Sequence, residues 1–154
     1  MKLFSRFVFP LFLVLFSANV LSASGNKHFP GIFLGATDFK DETNFTFGFE
    51  YEYRFDKEWG AGVVFERSNN AHDGDGVAVW VASAYYHPVP DVRLGVGLGQ
   101  ERIGGAHPHN EDLYRMSASY DFHFGSVGIA PTIAVDFIDG DEAIVFGIAI
   151  VKPF

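Results

Sequence analysis

A chain of 154 residues is long enough for one domain, and its 17% aromatic and 19% charged residues make it richer in aromatics and poorer in charge than soluble domains, which are about 25% charged. Its formal net charge of -8 excludes the basic surface that nucleic acid phosphates require, so no nucleic acid partner is expected. The absence of cysteine excludes disulfide bonds.

The first 23 residues have the composition of a secretory signal peptide. Lys2 and Arg6 give a basic start, residues 7–16 form an apolar run, and small residues follow. This run is shorter than the roughly 20 residues of a membrane-spanning helix. The sequence therefore predicts an export signal at 1–23 and a single domain at 24–154. Loss of the signal removes two basic and no acidic residues, which changes the net charge from -8 to -10.

Turn residues divide the rest of the chain into eight segments of about ten residues, rich in Val, Ile, Phe and Tyr, which are predicted strands. These strands are 29–38, 44–55, 59–68, 76–87, 91–102, 112–123, 126–138 and 142–152. The third and fifth connections, at 69–76 and 104–112, are long, whereas the second, fourth and sixth are short. An up-and-down barrel with its N-terminus in the periplasm has this alternation, because its odd-numbered connections face outside.

The second predicted strand has the clearest pattern. Its even positions hold small, polar or charged residues and its odd positions are all aromatic: Phe45, Phe47, Phe49, Tyr51, Tyr53 and Phe55. Because side chains on a strand point alternately to opposite faces, this segment is a strand with one aromatic face. A helix would scatter the same aromatics around its whole circumference.

Five other strands alternate bulky apolar residues with small or charged ones. In the fifth strand, for example, the bulky residues alternate with Gly95, Gly97 and Gly99. The facing of the first strand, 29–38, and of the fourth, 76–87, stays open, because bulky residues occupy both parities there.

The less bulky face also carries charges, in Glu50, Glu52, Arg54, Glu66, Arg93, Glu101, Arg115, Asp121 and Asp136. A buried charge is costly unless it is paired and hydrogen-bonded. We therefore expect cross-strand networks that seal a narrow interior, since eight strands leave room only for side chains. A catalytic pair of carboxylates is the alternative, but the sequence carries no sign of a cleft or a nucleophile.

Alternation alone fits both a membrane barrel and a soluble, lipocalin-like barrel. A water-facing surface would carry Lys, Thr, Glu and Gln throughout, but the less bulky face consists mostly of Gly, Ala and Ser with isolated charges. The bulky face combines aromatic and aliphatic residues, as a lipid-facing band with aromatic girdles does. The sequence thus predicts an all-β, eight-stranded antiparallel transmembrane barrel with aromatics facing lipid and charges facing the lumen.

With a signal peptide, eight alternating strands and a final Phe154, the chain resembles the small eight-stranded outer-membrane barrels of Gram-negative bacteria, the OmpX-like and OmpA-barrel-like group. Members of this group typically end in an aromatic residue that the outer-membrane assembly machinery reads, with apolar residues at alternating positions before it. Phe146, Ile148 and Ile150 follow that rhythm, and Lys152 departs from it. The resemblance implies an outer-membrane location, a monomer, and contact with membrane lipids and lipopolysaccharide.

Histidines and acids are concentrated in two predicted loops, from His72 to Asp75 and from His107 to Asp112. His and carboxylate are ligands of divalent cations, so these loops have the chemistry of a weak metal site, although solvated loop tips are the simpler interpretation. The segment at 73–76 lacks the continuation of a calcium-binding EF-hand loop. We assign no metal ligand, cofactor or catalytic residue.

Ser68 and His72 are the nearest candidates for a catalytic pair. Lipid A acyltransferases and deacylases occur on this architecture and use Ser, His and acidic residues, but the sequence has no motif of either enzyme. We therefore predict a non-enzymatic protein with a structural or surface-interaction role and a packed, charged lumen. The alternatives are a lipid A-modifying enzyme and a barrel that binds lipid or a small ligand, including a soluble lipocalin-like one.

Overall fold

The computed structural model describes residues 25–154, so the predicted signal at 1–23 lies outside the described residues. Nine strands make up most of this range: β1 His28–Phe39, β2 Glu42–Arg54, β3 Trp59–Ser68, β4 Val77–Val89, β5 Val92–Ile103, β6 His109–Tyr120, β7 Phe122–Phe124, β8 Val127–Ile138 and β9 Asp141–Val151. Between residues 25 and 154 no helix is long and apolar enough to cross a membrane.

The strands pair antiparallel in sequence order, and the sheet closes on itself. Ile32 in β1 lies opposite Phe49 of β2 on one side and opposite Ile150 of β9 on the other. β6 and β7 both pair with β8, so they are two parts of one barrel strand. This is the predicted eight-stranded barrel, closed by the last strand against the first.

Asp121 divides the sixth barrel strand, for which the sequence predicts one uninterrupted segment. Its amide donates to the carbonyl oxygen of Asp91 in a neighbouring turn at 2.7 Å. The break coincides with Pro131 on the facing strand, which has no amide hydrogen to donate. The wall then continues as β7, where Phe122 lies opposite Ile129.

The aromatic face of β2 points away from the barrel axis, as predicted. Phe49 is 60% exposed, whereas its neighbour Glu50 is 7% exposed. Exposed bulky side chains from all around the wall form a continuous belt that includes Ile32, Leu34, Phe65, Trp80, Val96, Leu98, Met116, Ile133, Phe146 and Ile148. An apolar surface of this extent requires an apolar surrounding, which the hydrocarbon of a bilayer provides. A soluble lipocalin-like barrel would instead turn this face inward.

In β1 the parity that the sequence left open is settled by two phenylalanines that point into the lumen. Phe29 and Phe33 are 8% and 2% exposed, respectively. Two inward-facing glycines make room for the Phe33 ring, because a Cβ at Gly35 or Gly147 would lie only 2.7 or 2.8 Å from its tip.

In β4 the lumen face is formed by residues of odd number. Val81, Tyr85 and His87 are buried, at 0%, 3% and 2% exposure, while Trp80 and Tyr86 face out. The large side chains on both faces explain why alternation in polarity did not define this strand.

The two ends of the barrel differ. The loop end carries the β1–β2, β3–β4, β5–β6 and β8–β9 connections, of which the second and third are the predicted long loops. The terminal end carries the other turns and the chain termini. There Phe154 continues the pairing with β1, because its amide donates to the carbonyl oxygen of His28 at 3.0 Å and the two rings stack 5.1 Å apart.

Candidate functional site in the charged lumen

An ion-pair layer, here named the central triad, crosses the middle of the lumen and consists of Arg115, Glu66 and Asp136. The Arg115 Nε donates to Asp136 Oδ1 at 2.6 Å, and its Nη1 donates to Glu66 Oε1 at 3.0 Å. Its Nη2 donates to Glu66 Oε2 and to Asp136 Oδ2, both at 2.7 Å. All three residues are buried. Both carboxylates are held bidentately, so each of their oxygens and each guanidinium nitrogen is used.

A second network, the terminal cluster, lies nearer the terminal end and comprises Glu50, Glu52, Arg54, His87 and Arg93. Glu52 Oε1 is 2.6 Å from His87 Nε2 and accepts from Arg54 Nε at 3.2 Å. Arg93 Nη1 donates to Glu50 Oε1 at 2.9 Å and lies 3.6 Å from Glu52 Oε2. Two guanidinium groups therefore face two carboxylates, and the charges of the cluster balance when the imidazole is neutral.

Aromatic rings on the lumen face support the two arginines of the terminal cluster. The guanidinium carbon of Arg54 lies 3.8 Å from the centroid of the Phe29 ring, and that of Arg93 lies 4.9 Å from the Tyr85 ring. Cations over aromatic faces at these distances are attracted by the ring quadrupole. Phe29 and Tyr85 thus pack against the charges, and Phe29 also joins Phe33 in an apolar cluster with small and aliphatic residues of the last two barrel strands.

Three small cavities lie along the lumen, with volumes of about 20, 20 and 30 Å³. Each has room for one or two water molecules. Arg93 lines both the terminal and the central cavity, and Glu66 lines both the central and the loop-end cavity. The ion pairs therefore lie between neighbouring cavities and divide the interior into separate compartments.

Ser68 and His72 both line the loop-end cavity, but no hydrogen bond joins them. The Ser68 hydroxyl is bonded to that of Thr46 at 2.5 Å, which is bonded in turn to that of Thr37 at 2.7 Å. His72 Nε2 lies 3.8 Å from Glu101 Oε1. The hydroxyl is thus part of a chain within the barrel wall and not a nucleophile held against a histidine, as acyl transfer would need.

The histidines of the two loops are near acids but are not gathered into a shared site. His109 Nε2 lies 3.3 Å from Glu111 on the same strand, whereas His72 approaches Glu101. Among residues 25–154 no group of three or more His, Cys, Asp or Glu side chains is arranged to hold a metal ion.

The loop end is strongly acidic. It exposes or half-exposes the basic side chains of Lys40, Arg67 and Arg102 and a set of carboxylates that we name the acidic rim: Asp38, Asp41, Glu42, Asp73, Asp75, Glu111, Asp112, Asp139, Asp141 and Glu142. Ten carboxylates against three basic groups give this end a net charge of -7 with neutral histidines. Its potential favours cationic partners.

Lys40 forms a close ion pair on the rim that links the first and last connections. Its Nζ lies 2.6 Å from Asp141 Oδ2. The hydrogen bond to Asp141 and the charge of that carboxylate raise the pKa of Lys40 above its ordinary value. Both side chains are largely exposed, so solvent screens the interaction.

Every lumen charge predicted from the sequence lies in the interior: Arg54, Arg93 and Asp121 are half-buried, and the other six are buried. Sequence reasoning missed His87, Phe29 and Tyr85. The signal that could have found His87 is its place in the series of alternate residues Val81, Ser83, Tyr85 and His87, which share one face of the strand. Equally bulky residues on the opposite face obscured this pattern.

No protein-family model matches this sequence, and no curated protein is similar to it in sequence. Solved structures do resemble it. The N-terminal β-barrel domain of OprF from Pseudomonas aeruginosa matches with a TM-score of 0.63 at 12% identity, covering 84% of this chain and 100% of that one. Neisserial surface protein A, NspA, matches with a TM-score of 0.58 at 15% identity, covering 86% and 99%.

A third match is Ail, the attachment invasion locus protein of Yersinia pestis, solved in complex with the heparin analogue sucrose octasulfate. Its TM-score is 0.53 at 14% identity, covering 84% of this chain and 97% of that one. At such low identity these similarities concern the fold alone. Together with the closed barrel and its apolar belt, they establish that this chain has the fold of the small eight-stranded outer-membrane β-barrels.

Proposed function

We propose that this protein is a non-enzymatic outer-membrane surface protein, whose barrel anchors an acidic loop end that interacts with molecules outside the cell. The proposal is carried by the observation that two layers of ion pairs, together with aromatic rings, occupy the lumen. Such a barrel has a rigid, closed interior, so the variable chemistry lies on its loops.

The orientation follows from the lengths of the connections. Outer-membrane barrels have short turns in the periplasm and longer loops outside. The loop end, with connections 69–76 and 104–108, therefore faces the exterior, and the terminal end with Phe154 faces the periplasm. There the exposed Phe154 ring is available to the assembly machinery, and the belt contacts lipid and lipopolysaccharide around a monomer.

The negative charge of the acidic rim limits which molecules could be partners of the loop end. Ail was solved with a polyanion, sucrose octasulfate. A rim with a net charge of -7 repels such a ligand and attracts cations or cationic surfaces. We therefore infer that cationic molecules are the partners of the loop end here.

A lipid A-modifying enzyme is the competing function, and the contacts of Ser68 do not support it. Its hydroxyl is bonded within the wall to Thr46 and is 5% exposed, out of reach of an acyl chain in the outer leaflet. His72, in turn, has a carboxylate and not a hydroxyl as its polar neighbour.

Mass spectrometry of lipid A from cells with and without the protein tests this choice. We expect identical acylation patterns, and identical patterns again from cells expressing Ser68→Ala or His72→Ala. A change in acylation that requires the wild-type protein and disappears in either variant would show that the protein is an enzyme.

A further inference from the structure

Glu101 is a buried residue whose carboxylate accepts no hydrogen bond from residues 25–154. It lies on the lumen face of β5, is 7% exposed, and lines the loop-end cavity. Among residues 25–154 its nearest cationic group is the His72 imidazole, 3.8 Å away and half-buried, which is charged only when protonated. An ionised carboxylate removed from water without a partner is strongly destabilising.

Among residues 25–154 no guanidinium group is paired with Glu101. The central triad lies next to it, but every guanidinium nitrogen of Arg115 is already bonded to Glu66 or Asp136. Arg67, which lines the cavity but is exposed, donates from Nε to Asn69 Oδ1 at 2.6 Å. The cavity therefore has an uncompensated negative charge at its inner end.

The other residues that line the loop-end cavity determine which chemical groups could enter it. Thr46 and Ser68 contribute hydroxyls, and apolar side chains such as Phe39, Val79 and Val145 complete the lining. The lining continues to the exposed Glu42, so the cavity opens to solvent at the loop end. Its volume of about 30 Å³ accommodates an ammonium group and an adjoining methylene, but not a bulky cation.

We propose that the loop-end cavity binds the terminal primary ammonium group of a small linear polyamine. The ammonium donates to the Glu101 carboxylate and to the Thr46 and Ser68 hydroxyls, its first methylenes contact the apolar wall, and the remaining ammonium groups lie on the acidic rim. The rim raises the local concentration of such a polycation, while the cavity selects a narrow, unbranched end. Polyamine binding goes beyond the surface role proposed above and does not depend on the orientation of the barrel in the membrane.

The test is to titrate spermidine into the folded protein in lipid nanodiscs. Binding is monitored by calorimetry and by the NMR signals of amides around the cavity. We expect saturable binding that Glu101→Gln weakens at least tenfold, because the amide keeps the shape of the side chain and removes its charge. Glu58→Gln is the matched control, since it makes the same chemical change at an exposed carboxylate in the β2–β3 turn, at the opposite end of the barrel from the cavity and the acidic rim. We expect it to change the affinity less than twofold.

Hexaamminecobalt(III), a compact trivalent cation too bulky for the cavity, separates pocket binding from attraction to the rim. We expect it to compete weakly with spermidine and to leave the amides around Glu101 unshifted. The proposal is overturned if spermidine does not bind, if Glu101→Gln binds as well as wild type, or if hexaamminecobalt(III) competes as strongly as spermidine itself. Retention of the faster gel mobility of unboiled protein checks that each variant is folded.

Discussion

In the terminal half of the lumen two guanidinium groups face the carboxylates of Glu50 and Glu52, whereas toward the loop end the guanidinium of Arg115 bonds two buried carboxylates and the buried Glu101 accepts no hydrogen bond from residues 25–154. Both halves are built on the same alternating strands, so the difference lies in the charges and not in the wall. The half with balanced charges needs no added cation, although Glu52 Oε2, His87 Nδ1 and Asp121 Oδ1 are buried there without a hydrogen-bond partner among residues 25–154. The half with excess acid is the one that lies beneath the loops, where a cation from solvent can complete it.

The neighbouring aromatics sharpen this contrast. Arg54 and Arg93 in the terminal half lie over the rings of Phe29 and Tyr85. The central triad relies instead on bidentate hydrogen bonds that use every oxygen. Removal of a charge should therefore be most costly in the loop half, where no ring takes part.

The largest effect is expected from Arg115→Met. This change leaves Glu66 and Asp136 buried and without a counter-charge, and breaking a buried pair in this way costs about 3–5 kcal/mol. The free energy of unfolding, measured by urea titration in lipid vesicles, should fall by that amount. Combining Arg115→Met with Glu66→Gln and Asp136→Asn should recover much of the loss. Equal stability of the single variant and wild type would contradict the role of the triad.

Substitutions on the lipid-facing side of the barrel provide a reference for the stability costs expected in the two halves of the lumen. Phe49, at the middle of β2, is placed against the bilayer centre, so Phe49→Arg should cost about 2–4 kcal/mol in the same titration. Phe55→Arg, just beyond the end of β2 at the terminal end, should cost clearly less because it lies near the interface. A negligible cost at Phe49 would contradict its placement against lipid.

Spin labels should report hydrocarbon at Tyr51 and not at Ser83. Serine is the appropriate lumen position, because a Cβ at Gly48 or Gly97 would lie 2.5 Å from neighbouring atoms and would disturb the wall. Labels that are accessible to oxygen at Ser83 and to an aqueous quencher at Tyr51 would mean that the two faces are reversed.

A smaller effect is expected in the balanced half from Glu52→Gln. The change removes the charge between His87 and Arg54 but keeps the shape, and Arg93 retains its bond to Glu50. Loss of charged hydrogen bonds costs about 1.5–3 kcal/mol, less than the loss expected for Arg115→Met. A larger loss for Glu52→Gln than for Arg115→Met would reverse the ranking of the two halves.

The smallest effect is expected on the rim, from Lys40→Ala. The pair with Asp141 is exposed, so no change in the free energy of unfolding should be resolved at neutral pH. Because the pKa of Lys40 is raised above its ordinary value of 10.5, any contribution is fully present at neutral pH and is lost only when the pH rises through that raised pKa. A clear loss of stability at pH 7 would show that the rim contributes to the fold.

The fold was predictable because most strands separate bulky from small or charged residues cleanly, as β2 does. The facing of β1 and β4 was not, because the lumen there holds Phe29, Phe33 and Tyr85, which resemble lipid-facing residues in polarity. Phe29 and Tyr85 support arginines, and Phe33 packs in an apolar cluster. The interruption at Asp121 also escaped prediction, since it depends on a carbonyl in another turn.

The lumen charges were predictable as a set but not as partners. Arg115 meets Glu66, which is 49 residues away in sequence, only because the tilt and closure of the barrel bring β3 and β6 to face each other across the lumen. Likewise, no local pattern indicates that Glu101 lacks a donor, because that depends on Arg115 being directed to Glu66 and Asp136.

Conductance in planar lipid bilayers tests the central claim most directly, namely that ion-pair layers close the lumen. We predict no stepwise single-channel current from the purified wild-type barrel at neutral pH, because Arg93 and the central triad separate the small cavities. Reproducible open-channel steps from a folded, monomeric preparation would contradict a closed lumen and would favour a role in solute passage.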